Sequence, residues 1–454
     1  MIPKRTMFFI CLCCNLFSCS TDGNLTDNND ADSIEQPPTT GDNDTEDNSN
    51  DGTTEETSLP FISTWIVGDA NYGDGDLNVG IPGGASGYNF MVDWGDGETS
   101  TDVTTDIIHT YASAGTYTIS ISGDYPVITF GTASDRDKVV NIEQWGSNVW
   151  SSMFQAFKWC SNLTCNANDT PDLSNVSDMT SIFENASSVN EGLSDWDVSQ
   201  VTDMRGAFYG ATAFNGDISA WDVGNVTIMA NMFQYAESFN QDIGSWDVSN
   251  ATNVSQMFYD AISLNQDLSG WDVSNVEGMN GMFSGASAFN QNLNTWNVSN
   301  VKSMKGMFLG AVAFNQDISN WNVSSVENMD YMFDGASSFD QDLSGWDVGS
   351  VFYMDFMFRN AKSFDQDLSG WNVSKVIDMR SMFLGAISFN QNISGWNVGN
   401  VENMGAMFYN AATFNQNLSS WNTTNVTSCD FFRTGSSMSV NNIPTAGSCD
   451  FDYN

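Results

Sequence analysis

Ten tryptophans stand at positions 196, 221, 246, 271, 296, 321, 346, 371, 396 and 421 of the 454-residue chain, each 25 residues after the one before. One insertion inside a folded turn would break that step, so it marks a structural repeat. Periods of this length belong to solenoids, propellers or arrays. Stacked coils of near-identical sequence offer long surfaces but seldom the converging, unlike groups of a catalytic pocket. The period points to binding.

A single coil runs from Val201 to Asn225. Val201, Met204, Ala207, Phe208 and Ala211 fall at i, i+3, i+6, i+7 and i+10, the stripe of a short amphipathic helix. Ser199 and Asp203 suit its N-terminal end and Gly210 its C-terminal end. Phe214, Ile218, Trp221 and Val223 continue as an apolar set with strand-like alternation at Trp-x-Val. Each coil is therefore expected to be a helix of about ten residues plus a short strand, with stacking supplying the core. The Met-Phe pair recurs from Met232-Phe233 to Met407-Phe408, and an alanine follows each pair from Ala236 to Ala411. Both columns read as core. The tryptophans read as core as well, with a sugar-stacking platform as the competing reading.

Two polar columns are nearly as regular, one from Asp217 to Asn417 and one from Asp222 to Asn422. Stacked carboxylates repel by roughly 1 kcal/mol at such spacings in a high dielectric. Asn substitutions and bonds to turn amides offset this. Calcium is the alternative counterion, but no compact loop gathers six oxygens. Structural ladders are the first reading.

The charge of −43, from 56 acidic and 13 basic residues, sets the chain against nucleic acid. Hydrophobic residues make up 41% of the chain, which supports a buried core, so the acidity belongs to the surface. No nucleophile–base pair or phosphate loop is found, and the lone histidine, His109, lies outside the array. The expectation is a non-enzyme without a resident cofactor.

The N-terminus carries Lys4 and Arg5, an apolar run from Met7 to Phe17, and then Leu16-Phe17-Ser18-Cys19. The last four resemble the bacterial lipoprotein box, which implies cleavage before Cys19 and lipidation of that cysteine. Ser20-Thr21-Asp22 resembles the signal that sends lipoproteins of Bacteroidetes-type bacteria to the outside of the outer membrane. The acidic, Asn- and Thr-rich stretch that follows cannot repay the entropy of ordering and reads as a tether. Export permits disulfides. Either Cys160–Cys165 and Cys429–Cys449 are bridged, or all four are reduced and buried.

Val92-Asp93-Trp94-Gly95-Asp96-Gly97-Glu98, His109-Thr110-Tyr111 and Ala114-Gly115-Thr116-Tyr117-Thr118 resemble the PKD-type immunoglobulin-like sandwich. Short alternating runs between Gly- and Asp-rich turns agree with that all-β reading. His109 is expected to be structural, and Asp93, Asp96 and Glu98 are weak candidates for calcium.

The repeated tract Met-Phe-x-x-Ala-x-x-Phe-Asn-Gln-Asp-Leu/Ile-Ser-x-Trp-Asp/Asn-Val-Ser-Asn-Val resembles the BspA-like leucine-rich-repeat surface proteins of bacteria, over about residues 140–435. That family implies a leucine-rich-repeat-like solenoid used in adhesion.

The expected organisation is a lipoprotein signal peptide at 1–18, a tether at 19–59, a PKD-like sandwich at 60–131, a repeat solenoid at 132–428 and a capping segment at 429–454. The expected function is an adhesin or protein-interaction module, lipid-anchored and exposed on the outer membrane. Its expected partners are host or bacterial surface proteins, extracellular matrix or glycans. A carbohydrate-binding surface protein and a structural spacer of the envelope are the alternatives. Tyr209, Tyr235, Tyr259, Tyr331, Phe352, Tyr353, Phe356 and Arg359 break the repeat pattern with exposed-type aromatics and a cation. They form the candidate ligand surface.

Overall fold

The computed structural model describes residues 58–84, 87–133 and 135–452. The leader, Cys19 and nearly all of the tether lie outside the described residues. Among the described residues no α-helix occurs, and no helix is long and apolar enough to cross a membrane.

Seven strands precede the repeats: β1 (Phe61–Val67), β2 (Asn78–Ile81), β3 (Asn89–Asp93), β4 (Thr99–Val103), β5 (Ile107–Thr110), β6 (Gly115–Asp124) and β7 (Val139–Gln144). With β8 (Thr164–Cys165) they form a six-stranded sheet in the order β4-β3-β6-β1-β7-β8, and β2 pairs with β5 separately. Alternation sets which face is buried: in β1, Phe61, Trp65 and Val67 face inward, with Ser63 between them. Gly95 lies in the turn after β3 with φ of +74°, and a Cβ there would sit 2.4 Å from the Thr118 carbonyl oxygen. No other residue fits that turn.

The strand-rich part does not end at 131. β7 pairs antiparallel with β1, and β8, already in the first coil, pairs parallel with β7. The sheet therefore runs into the array, and the aromatic core crosses with it. Phe61 packs on Trp150 at 5.6 Å, and Trp145 on Trp196 at 5.2 Å. This sheet covers the apolar end of the first coil, which would otherwise expose an edge.

From Asp178 to Ser428, ten parallel bridges link residues 25 apart. The segment expected as a helix is a different structure. Met204, Gly206, Phe208 and Gly210 donate their N–H groups to Ile228, Ala230, Met232 and Gln234 of the next coil. The intervening amides of Ala207, Tyr209 and Ala211 close tight turns onto Met204, Gly206 and Phe208. Alternate peptide groups thus lie along the stack and are satisfied by the neighbouring coils rather than by an i→i−4 ladder. This requires left-handed residues at two positions per coil, for example Gly206 (φ 59°) and Gly210 (φ 67°). From Asn185 to Gly435 the second of these positions is Gly, Asn or Asp in ten of eleven coils, Tyr235 being the exception. Those are the residues that enter the left-handed region most readily. Gly210 is therefore one of a column of left-handed residues, not the end of a helix.

The apolar columns fall where expected. The Met, Phe and Ala columns are buried, and Phe283 stacks on Phe308 at 5.7 Å. Each tryptophan is buried too, and from Trp221 onward its indole N–H donates to a carbonyl 28 residues back, as Trp296 does to Leu268 at 2.9 Å. This removes the sugar-platform reading of the tryptophans. Where turns prevent backbone pairing, side-chain amides replace it. Asn240 N–H donates to the Asn215 side chain at 2.8 Å, and Gln241 to the Asn215 carbonyl at 2.7 Å.

At the far end Cys429 and Cys449 are bridged, with Cα atoms 6.1 Å apart, and Phe451 packs against Phe432 at 4.9 Å. The other expected pair is not formed. Cys160 and Cys165 are free and buried, and the Cys165 thiol faces the Gly192 carbonyl. Each thiol has its own place in the core of the first coil. Closing a loop of 20 residues stabilises by about 3 kcal/mol in chain-entropy terms. Cys449→Ser should lower stability by about that much in denaturant titration, with the loss focused on the last coil.

Candidate functional site

Comparing the coils with one another separates fixed from variable positions. The Asp/Asn columns are fixed for local reasons. Asp217 accepts the Ser219 N–H at 3.0 Å, and Asp222 accepts that of Gly224 at 3.1 Å. Hydrogen bonds from the following serine hold the carboxyls of Asp247 and Asp272 below their ordinary range. Variation concentrates on the outer side of the turn ladder. The column Arg205, Ala230, Ser255, Asn280, Lys305, Asp330, Asp355, Arg380 and the column Gly206, Asn231, Gln256, Gly281, Gly306, Tyr331, Phe356, Ser381 share almost nothing along their length.

The aromatics singled out by sequence meet here in two groups. Tyr235 packs edge-on against both Tyr209 and Tyr259 at 5.5 Å. Tyr331 stacks on Phe356 at 4.7 Å, with the Arg359 guanidinium 5.8 Å from the first ring and 4.6 Å from the second. Phe352 and Tyr353 are exposed beside them, with Lys375 over Phe352 at 5.9 Å, whereas Phe356, expected to be exposed, is buried beneath Tyr331 and the Arg359 and Arg380 guanidinium groups. Arg359 is held by Asp334, whose side chain is 3% exposed. Burial raises the Asp334 carboxyl, and the guanidinium opposes that rise.

Four charged groups beside these rings escaped the sequence reading. Lys305 lies 5.6 Å from the Tyr331 ring and 3.6 Å from Asp330, and Arg380 lies 5.2 Å from Phe356. Asp355 follows Asp330 in the same column, and its N–H donates to the Asp330 carboxylate at 3.2 Å. Burial, then the hydrogen bond and charge of Asp330, push the Asp355 carboxyl up to about 8, with Lys305 opposing. A carboxyl raised on folding favours the folded state at low pH and loses that contribution as pH rises through the folded value. Asp355→Asn should therefore raise the melting temperature at pH 8 and leave it unchanged near pH 4, read by a pair of thermal melts. The only sequence signal for this cluster was the variability of its column.

The calcium candidates do not converge. Asp93 accepts the Gly95 N–H at 3.0 Å, and Asp96 takes the Glu98 N–H at 3.0 Å and the His109 ring nitrogen at 2.8 Å. His109 stacks on Trp94 at 4.7 Å, in a structural position. Among the described residues, Asp74, Asp76 and Asp135 do bring three carboxylates together. The buried ammonium of Lys138 fills that cluster, at 2.8, 2.5 and 2.8 Å. Its hydrogen bond lowers the Asp76 carboxyl to about 2.

These features define a repeat protein of stacked 25-residue coils with one variable face. The family model described as "Mycoplasma protein of unknown function, DUF285" matches residues 149–270, 252–355 and 341–444, together more than half of the chain. The chain belongs to that family. No curated protein and no solved structure matches it.

Proposed function

We propose that this chain is a non-catalytic cell-surface lipoprotein that recognises surface partners through the variable face of its coils. In this reading the coils are a BspA-like, leucine-rich-repeat-type solenoid, the first strands a PKD-type sandwich, and Cys19 the anchor to the outer membrane. The partners are proteins of host or bacterial surfaces or of extracellular matrix, and the charge of −43 weighs against nucleic acid. One observation carries the reading: the coils keep apolar residues at the positions that pack the stack and amides or carboxylates at most of those that staple it, and differ far more on the outer side of the turn ladder. Tyr331 and Phe356 add to it. Both hold left-handed backbone, at 59° in each case, which costs such residues roughly 1–2 kcal/mol. Gly206, Gly281 and Gly306 hold the same column without that cost, so the backbone alone does not call for a bulky ring there.

The test is adhesion of beads coated with the full chain to immobilised matrix proteins and to bacterial cells. A variant carrying Tyr353→Asn and Phe356→Ser borrows residues that the same columns hold at Asn328 and Ser381, so its fold is retained. Adhesion should fall in the variant; equal adhesion would remove the reading. Cys19→Ala should shift the expressed chain from the membrane fraction to the soluble one.

A further inference from the structure

A cleft of about 440 Å³ opens on the variable face between Tyr259 and Tyr331. Its origin is a gap in the column that holds Tyr331. Phe356 covers one face of that ring, while the preceding residues of the column are Gly306 and Gly281. A Cβ on Gly306 would meet nothing nearer than Leu309, at 3.8 Å, so the floor is open there. Tyr259 and Ser284 stand at the other end, and Tyr331 is three coils further on, which is roughly 14 Å at strand spacing.

The lining restricts what fits. Tyrosine rings at the ends and glycine backbone along the floor give a shallow carbon surface, with Leu309 as its one aliphatic side chain. Such a floor lacks the depth that anchors an apolar peptide side chain. Amides rim it: the side-chain nitrogens of Gln256 and Asn280 have no partner among the described residues, while their oxygens accept from Asn231 and Ser303. Lys305 brings one cation, but Asp330 lies 3.6 Å from it, and the surrounding protein is strongly acidic. An anionic ligand is therefore disfavoured.

We infer that this cleft binds a short, uncharged oligosaccharide, whose C–H faces lie on Tyr259 and Tyr331 and whose hydroxyls take hydrogen bonds from Gln256, Asn280 and Lys305. Aromatic faces serve apolar ring surfaces, and fixed amides give orientation. The inference deepens the surface-recognition reading and rests on it.

The experiment applies the full chain to an array of neutral, uronate-containing and sialylated oligosaccharides, and repeats it with Gly306→Asn, Tyr331→Ser and Phe356→Ser. Asn and Ser occur in the same column with left-handed backbone at Asn231 and Ser381, so the first two variants alter the cleft and not the coil. Binding to neutral saccharides should fall about tenfold or more in Gly306→Asn and Tyr331→Ser and be kept in Phe356→Ser, whose side chain lies outside the cleft lining, with each variant still melting in a cooperative transition. No neutral saccharide bound at millimolar concentration, binding confined to acidic saccharides, or neutral binding that survives Gly306→Asn would each overturn the proposal. The adhesion variant carries no change in the cleft lining. Loss of adhesion there with an inactive cleft would defeat this inference alone, and a working cleft with unchanged adhesion would defeat the broader reading alone.

Discussion

Trp296→Ala should destabilise the stack by about 3–5 kcal/mol, the range for truncating a buried large aromatic. Trp296 is 3% exposed, stacks between Trp271 at 6.4 Å and Trp321 at 6.5 Å, and leaves the Leu268 carbonyl without its indole partner when removed. In a stack where each coil contacts only its neighbours, the damage falls on two interfaces at once. Urea titration should show an earlier and less cooperative transition. Tyr209→Ser on the outer face should stay within about 0.5 kcal/mol of wild type. A cost below about 1 kcal/mol at Trp296 would contradict the buried role of the tryptophan column.

Gly306→Ala decides between two backbones by the sign of its effect, since that position falls inside the expected helix. In a helix interior the change stabilises by about 1 kcal/mol. Gly306 holds φ of +61°, and a Cβ there would meet nothing nearer than the Leu309 side chain at 3.8 Å. The substitution therefore adds no clash, only the left-handed penalty of roughly 1–2 kcal/mol for an L residue. Destabilisation is expected, while Gly306→Asn should cost less, since Asn231 occupies that column with φ of 62°. A stabilised alanine variant would return the segment to a helix.

Much of this could be read from the chain beforehand. The tryptophan step located the coils, and the Met, Phe, Ala and Trp columns are buried as their regularity implied. The helix was misread for a physical reason. Successive i→i+3 turns bring residues three and four apart to one side, so Met204, Ala207, Phe208 and Ala211 face the core just as a helical stripe would. The distinguishing signal lay inside the supposed helix, in the glycines that recur at Gly206, Gly281 and Gly306. The aromatics of the outer face were legible because they interrupt a repeat. Lys305, Asp330, Asp355 and the gap at Gly281 and Gly306 were not, since stacking unites residues that are 25 apart in sequence. The end of the strand-rich part was likewise hidden, because β7 joins its sheet by pairing with β1, far back in the chain.

In the proposed function, recognition belongs to the variable side of the turn ladder. Its most direct measurement compares adhesion of the full chain with two variants: Tyr353→Asn with Phe356→Ser on that side, and Asp242→Asn with Asp267→Asn in a fixed column where other coils already carry Asn. The first variant should lose adhesion and the second keep it. Adhesion kept by the first and lost by the second would contradict it.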